Sequence, residues 1–183
     1  MSGRSSVLLL AALGLGSCVH GGALDDGVLY KGDVEVRFGT IPVQWQPLRI
    51  SGADLAYRDE PHRGSVLVAL HCNERDGDAS LSVLTEHLIM GTTERNVDSQ
   101  LTLPFDGREA LRTTLRAKLD GVPMRYDIFV MKKDGCVYDL VYVTTADSFP
   151  AGDPEFERFV MTLHASPRGS SAHRMAAPAL SVQ

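Results

Sequence analysis

The spacing of apolar positions changes several times along the chain, and each change predicts an element. From Val28 the period is two: Val28, Tyr30, Val34, Val36 and Phe38 run among the polar residues Lys31, Asp33, Glu35 and Arg37. Such alternation turns one face of an extended chain to a core and the other to water, as in half-buried strands. Pro42 and Pro47 bracket Val43-Gln44-Trp45-Gln46, which Leu48-Arg49-Ile50 extends. Proline cannot donate to a sheet ladder, so this segment is expected at an edge, and Trp45 is the candidate for contact with a partner. Asp59 to Gly64 is a polar turn. The following run from Ser65 to Cys72 is almost continuously apolar and predicts a central strand covered on both faces.

Leu81, Leu84 and Leu88 then fall at helical spacing, with Asp78 placed to cap the helix and Gly91 placed to end it. The stretch from Arg108 to Leu119 fits two templates, because Leu111, Leu115 and Leu119 suit either a helix stripe or one strand face. Thr113-Thr114 is β-branched, and Asp120-Gly121 is a hairpin turn into Met124 to Val130, which decides for strand. A second such turn, Asp134-Gly135, leads into Cys136 to Val143, giving an antiparallel meander with Tyr138 and Tyr142 on one face. Asp153 as N-cap, Pro154 at the first position and Phe156, Phe159, Val160 and Leu163 predict a closing amphipathic helix.

The ends read differently. Arg4 precedes a short apolar core, Val7 to Leu13, and small residues lead to a cysteine. That core is signal-peptide length, well short of the roughly 20 apolar residues a membrane span needs. Leu15-Gly16-Ser17-Cys18 resembles the bacterial lipobox, in which cleavage leaves the cysteine as a lipidated first residue. Charge, core length and motif together favour this over a secretory signal with an incidental cysteine. The expected organisation is a signal peptide (1–17), a lipidated tether (18–27), one α/β domain (28–165) and a disordered tail (166–183). The lipid on Cys18, palmitate included, would be the membrane contact. Val19 after it, in place of a retention aspartate, points to the outer membrane and a periplasm-facing domain.

Composition adds limits. With 44% hydrophobic and 22% charged residues the chain has the makings of one globular core. A net charge of −5 with no basic run longer than Lys132-Lys133 excludes a nucleic-acid partner. Beyond Cys18 there are two cysteines, Cys72 and Cys136, which form either a disulfide or two buried thiols.

Candidate chemistry is thin. A Cys-His nucleophile from Cys72 or Cys136 with His71, His87 or His164 has one disqualified pair, since neighbours on a strand point to opposite faces. No C-x-x-C or H-x-x-x-H spacing offers a metal site, and Asp76-Gly77-Asp78 lacks the later ligands of a calcium loop. Asp106, Glu109 and Asp120 stand beside turns and read as solvated charges. No catalytic residue, metal or cofactor is expected.

The order of elements, together with Asp106-Gly107-Arg108-Glu109-Ala110, the Leu119 to Pro123 turn, Gly135 to Tyr142 and the helix from Asp153 to Leu163, resembles the PsbP-like family. That group includes the photosystem extrinsic subunit, the Ran-binding Mog proteins and DcrB-type bacterial lipoproteins. The resemblance spans about Val34 to Ala165. It implies an α+β fold, an antiparallel sheet flanked by helices in an α/β/α sandwich, and it carries no functional residue over by position. It also implies a non-enzymatic accessory or assembly factor that binds an envelope protein. The alternative is a small-ligand module with a pocket between sheet and helix.

Overall fold

A computed structural model describes residues 24, 27–72 and 78–169. The signal peptide, Cys18, most of the tether and residues 170–183 lie outside the described residues. In chain order the elements are β1 (Val28–Lys31), β2 (Val34–Arg37), β3 (Trp45–Leu48), β4 (Leu55–Asp59), β5 (Gly64–His71) and α1 (Leu81–Leu88). They continue with β6 (Thr93–Phe105), β7 (Arg108–Leu119), β8 (Val122–Lys133), β9 (Cys136–Thr144), α2 (Phe149–Val160) and β10 (His164–Pro167).

Seven strands form one antiparallel sheet in the order β3-β4-β5-β9-β8-β7-β6, and β1-β2-β10 form a second, small sheet. The period-two pattern sets which side chains go where. Val66, Val68, Leu140, Tyr142 and Phe129 point to one face, where Phe156 and Phe159 of α2 and Val34 and Val36 of the small sheet join the same core. Leu115, Ile128 and Val130 point to the other face and meet Leu84 and Ile89 of α1 and its end. The architecture is the expected α+β sandwich, with the small sheet sharing a layer with α2.

The meander has four strands, not three. Asp106-Gly107, Asp120-Gly121 and Asp134-Gly135 all have positive φ at both residues (46° and 75°, 50° and 82°, 52° and 76°), the type I′ geometry that matches strand twist. The additional strand, β6, is the polar run Thr93–Phe105, exposed along most of its length. Its apolar alternation is confined mainly to its end, Leu101, Leu103 and Phe105, and as an edge strand it buries only its last residue.

Several local expectations are corrected. Trp45 is 4% exposed, packed between Tyr57 and Phe159 (ring centroids 6.0 and 5.3 Å), so it belongs to the core and presents no partner surface. Ser80, not Asp78, caps α1, accepting from Val83 N at 3.3 Å, and Gly91 does not take up a left-handed C-cap. α2 begins at Phe149, one turn before Asp153, with Pro150 in its first turn and Pro154 inside it. Burial of Phe149 against the Tyr142 ring pulls the start back. Ser166 and Pro167 are not tail: β10 pairs with β2 through Ser166↔Glu35 and Pro167↔Val34.

Glycine at 152 is a requirement of the helix–sheet contact. A Cβ there would lie 1.8 Å from the Tyr142 hydroxyl oxygen, and one on Gly64 would lie 2.6 Å from the same ring. The Tyr142 side chain therefore fills a slot between the β4–β5 turn and α2.

Candidate functional site

The sheet and its covering helices do not match in width, and that mismatch makes a cleft. Seven strands about 4.8 Å apart span close to 30 Å, whereas the eight residues of α1 extend only about 12 Å. α1 packs on β7 and β8. The same face of β5 and β9 is left open. The cleft over it has a volume of about 380 Å³. Its floor is Leu67, Ala69, Val141 and Val143, and Leu88 at the end of α1 and Leu119 of β7 form part of its wall. Residues 51–53, before β4, close another side. The expectation of a central strand covered on both faces is therefore corrected: β5 buries Val66, Val68 and Leu70, while Ser65, Leu67 and Ala69 on its other side stay only part-buried. At the cleft's edge His71 Nε2 stands 3.3 Å from Asp139 Oδ2.

The opposite face carries a polar layer beneath α2. Arg112 Nε donates to Asp127 Oδ1 at 3.1 Å and its second terminal nitrogen donates to Asp127 Oδ2 at 2.8 Å. The same guanidinium reaches Asp153 at 3.5 Å and Glu157 at 3.0 Å on α2, and lies 5.0 Å over the Phe129 ring. Arg112 faces α2 because its cross-strand partner is Phe129, whose side of the sheet the helix covers. Beside this, Tyr142 donates to Asp59 at 2.8 Å, and His62 Nδ1 lies 2.9 Å from Asp59 Oδ2. Burial drives the Tyr142 hydroxyl far above its ordinary range, reinforced by the Asp59 carboxylate it bonds.

Burial also raises Asp127 to about 7, even against the pull of Arg112. An unfolded aspartate releases its proton near pH 4, so between about 4 and 7 the folded state holds one proton more. That contribution to stability is complete below about pH 4 and is lost as pH rises through 7. The expected result is an unfolding free energy that falls from pH 5 to 7 by up to about 1.4 kcal/mol per unit from this group. Urea denaturation of wild type and Asp127→Asn at pH 5, 6 and 7 measures it. Parallel pH dependence in the two proteins would refute the assignment.

Other residues singled out from the sequence find definite places. Cys72 and Cys136 are disulfide-bonded, S–S 2.08 Å, so neither offers a thiol to His71, His87 or His164. Asp106 is not solvated: it accepts from Lys133 Nζ and the Ala165 N–H, both at 2.8 Å, and lies 2.7 Å from His164 Nδ1. Burial would raise its pKa, but these partners outweigh burial and hold it below the usual carboxylate value. It fastens the β6–β7 turn to β8 and β10. Glu109 and Asp120 are exposed. No helix among the described residues is long and apolar enough to cross a membrane. Neither the cleft nor the layer under α2 was read from the sequence. Both assemble from residues far apart in the chain, which no local pattern links.

No protein-family model and no curated protein matches this chain. Solved structures do. Cyanobacterial PsbP (CyanoP) from Synechocystis sp. PCC 6803 superposes over 83% of this chain and 99% of its own, with TM-score 0.53 and 16% identity. LpqN of Mycobacterium tuberculosis, described as involved in cell envelope biogenesis, matches 74% of this chain and 86% of its own at TM-score 0.52 and 13% identity. A protein of Bacteroides thetaiotaomicron VPI-5482 matches 75% of this chain and 47% of its own at TM-score 0.53 and 12% identity. At these identities the likeness establishes the fold, which is PsbP-like, and leaves function to the site itself.

Proposed function

We propose that this chain is a non-enzymatic binding module of the bacterial cell envelope, tethered through lipid on Cys18, that holds a slender apolar group in the cleft beside α1. The observation that carries the reading is the uncovered apolar floor of Leu67, Ala69, Val141 and Val143. Exposed apolar surface of this kind is retained where something binds it, and about 380 Å³ suits one acyl chain or a ligand of similar girth. The His71–Asp139 pair at the edge offers a polar end to such a ligand. The tether rests on the lipobox-like Leu15-Gly16-Ser17-Cys18 and Val19, which favour the outer membrane. An envelope role accords with what LpqN, of the same fold, is described as doing.

The test is binding of a fluorescent fatty acid to the purified protein, with native mass spectrometry of protein taken from membranes. Saturable binding is expected, and Ala69→Phe, which fills the cleft, should abolish it while leaving the circular dichroism spectrum intact. A protein that binds no probe and carries no lipid, or one whose binding survives Ala69→Phe, would end this reading.

The accessory-protein reading keeps one observation of its own. β6 is a 13-residue edge strand with Val97 and Leu101 at 50% and 59% exposure. An edge like this accepts a strand from a partner. Crosslinking in whole cells through residues of β6, lost in Cys18→Ser, would favour it.

A further inference from the structure

The layer under α2 brings together three side chains from separate elements: Asp59 at the end of β4, His62 in the β4–β5 turn, and Glu155 on α2. One ligand atom from each lies within 4.8 Å of the other two. We propose that these three residues form a binding site for a divalent transition cation, zinc being the probe of choice. This site is on the opposite face from the apolar cleft and does not depend on the cleft binding anything.

Three observations carry it. The first is the donor set. One imidazole and two carboxylates suit a borderline cation, and bonds of about 2.0–2.2 Å around one ion would draw the three ligand atoms closer together than they now stand. The second is an oxygen without a partner. Glu155 accepts from Gln44 Nε2 at 2.6 Å through Oε1, while Oε2 is sealed from solvent and has no hydrogen bond. A buried carboxylate oxygen left unpaired is costly, and a cation between Glu155, Asp59 and His62 would satisfy it.

The third is the support around the ligands. Tyr142 holds Asp59 Oδ2 at 2.8 Å, Gln44 holds Glu155, and Thr144 Oγ1 donates to the His62 carbonyl at 2.6 Å. Asp59 and Glu155 are thus each oriented by a neighbour that is not itself a ligand, the usual accompaniment of a metal centre, and the backbone that carries His62 is fixed by Thr144. The charge balance agrees. Asp59, Asp127, Asp153, Glu155 and Glu157 gather here, while Arg112 is engaged by Asp127, Asp153 and Glu157, and Arg125, over the Phe149 ring, pairs with Asp98.

The experiment uses the purified chain, freed of metal with chelator and titrated with chelator-buffered Zn²⁺. One zinc per chain is expected by elemental analysis, with a raised midpoint of thermal unfolding. The X-ray absorption edge should fit nitrogen and oxygen neighbours without sulfur. His62→Ala and Glu155→Gln each should abolish stoichiometric binding, with unchanged circular dichroism confirming that the chain is folded. Gln44→Ala should weaken affinity by about 10–100-fold. His87→Ala, an exposed histidine on α1, should leave it unchanged. Failure to take up one zinc, sulfur in the coordination shell, or full binding by His62→Ala or Glu155→Gln would overturn the proposal.

Discussion

Replacing Arg112 with methionine should lower the unfolding free energy by about 3–5 kcal/mol at neutral pH, the loss expected when one member of a buried ion pair is removed. Arg112 is flanked by carboxylates on two elements: Asp127 on β8, which is fully buried, and Asp153 and Glu157 on α2. Methionine preserves most of the apolar stem over Phe129 and removes only the charge and its donors. Asp127 then has no cation, and Asp153 and Glu157 lose the bond that draws α2 onto the sheet. The size of the loss depends on pH. At pH 5.5 Asp127 answers the change by staying protonated, whereas at pH 8.5 it must either ionise in an apolar site or take a proton from solution at further cost. Guanidinium denaturation should therefore give the larger loss at pH 8.5. Adding Asp127→Asn to the Arg112→Met protein should recover part of it, because the uncompensated charge is gone. A loss below about 1 kcal/mol at both pH values would mean that the pair is in effect solvated.

The same cluster marks where sequence reading stops. The continuous apolar run of β5, the Asp-Gly turns that delimit β8 and β9, and the amphipathic α2 are local patterns, and each assigned its element because the physics behind it acts between near neighbours. β6 was invisible for the converse reason. An edge strand that leaves Thr93 to Gln100 largely in water shows apolar alternation only toward its end, at Leu101, Leu103 and Phe105, and pairing with β7 makes the polar remainder a strand. Trp45 was misplaced by the same logic. Flanking prolines do identify an edge, since β3 is one, but an edge strand still has an inward face, and Trp45 is on it. The face of the sheet that carries Arg112 and Asp127 is covered by α2, an element formed later in the chain, so no pattern within β7 or β8 marks these two residues as buried. The cleft was legible least of all. It is the part of the sheet that an eight-residue helix fails to reach, a fact about widths and not about any one residue.

Loss of the disulfide should cost about 4 kcal/mol, the chain-entropy value for a loop of this length. Cys72 and Cys136 are 64 residues apart in sequence and follow on from the β5–β9 register, one step beyond the His71↔Val137 pair. The bond therefore closes a long loop between strands that are already neighbours, and its effect falls mainly on the unfolded chain. Its surroundings add to this. Cys136 is 4% exposed, and the β1–β2 turn rests on the bridge, with a Cβ on Gly32 falling 3.7 Å from Cys72 Cβ. The double variant Cys72→Ser with Cys136→Ser should unfold at lower urea by the equivalent of that loss, and wild type in excess reductant should match it. Reductant should then have no effect on the double variant, which separates the bridge from packing at the two sites. Equal stability of oxidised and reduced wild type would show that the strands need no bridge. The expected dependence also bears on place. A domain that draws this much of its stability from one disulfide reaches full strength only where thiols are oxidised.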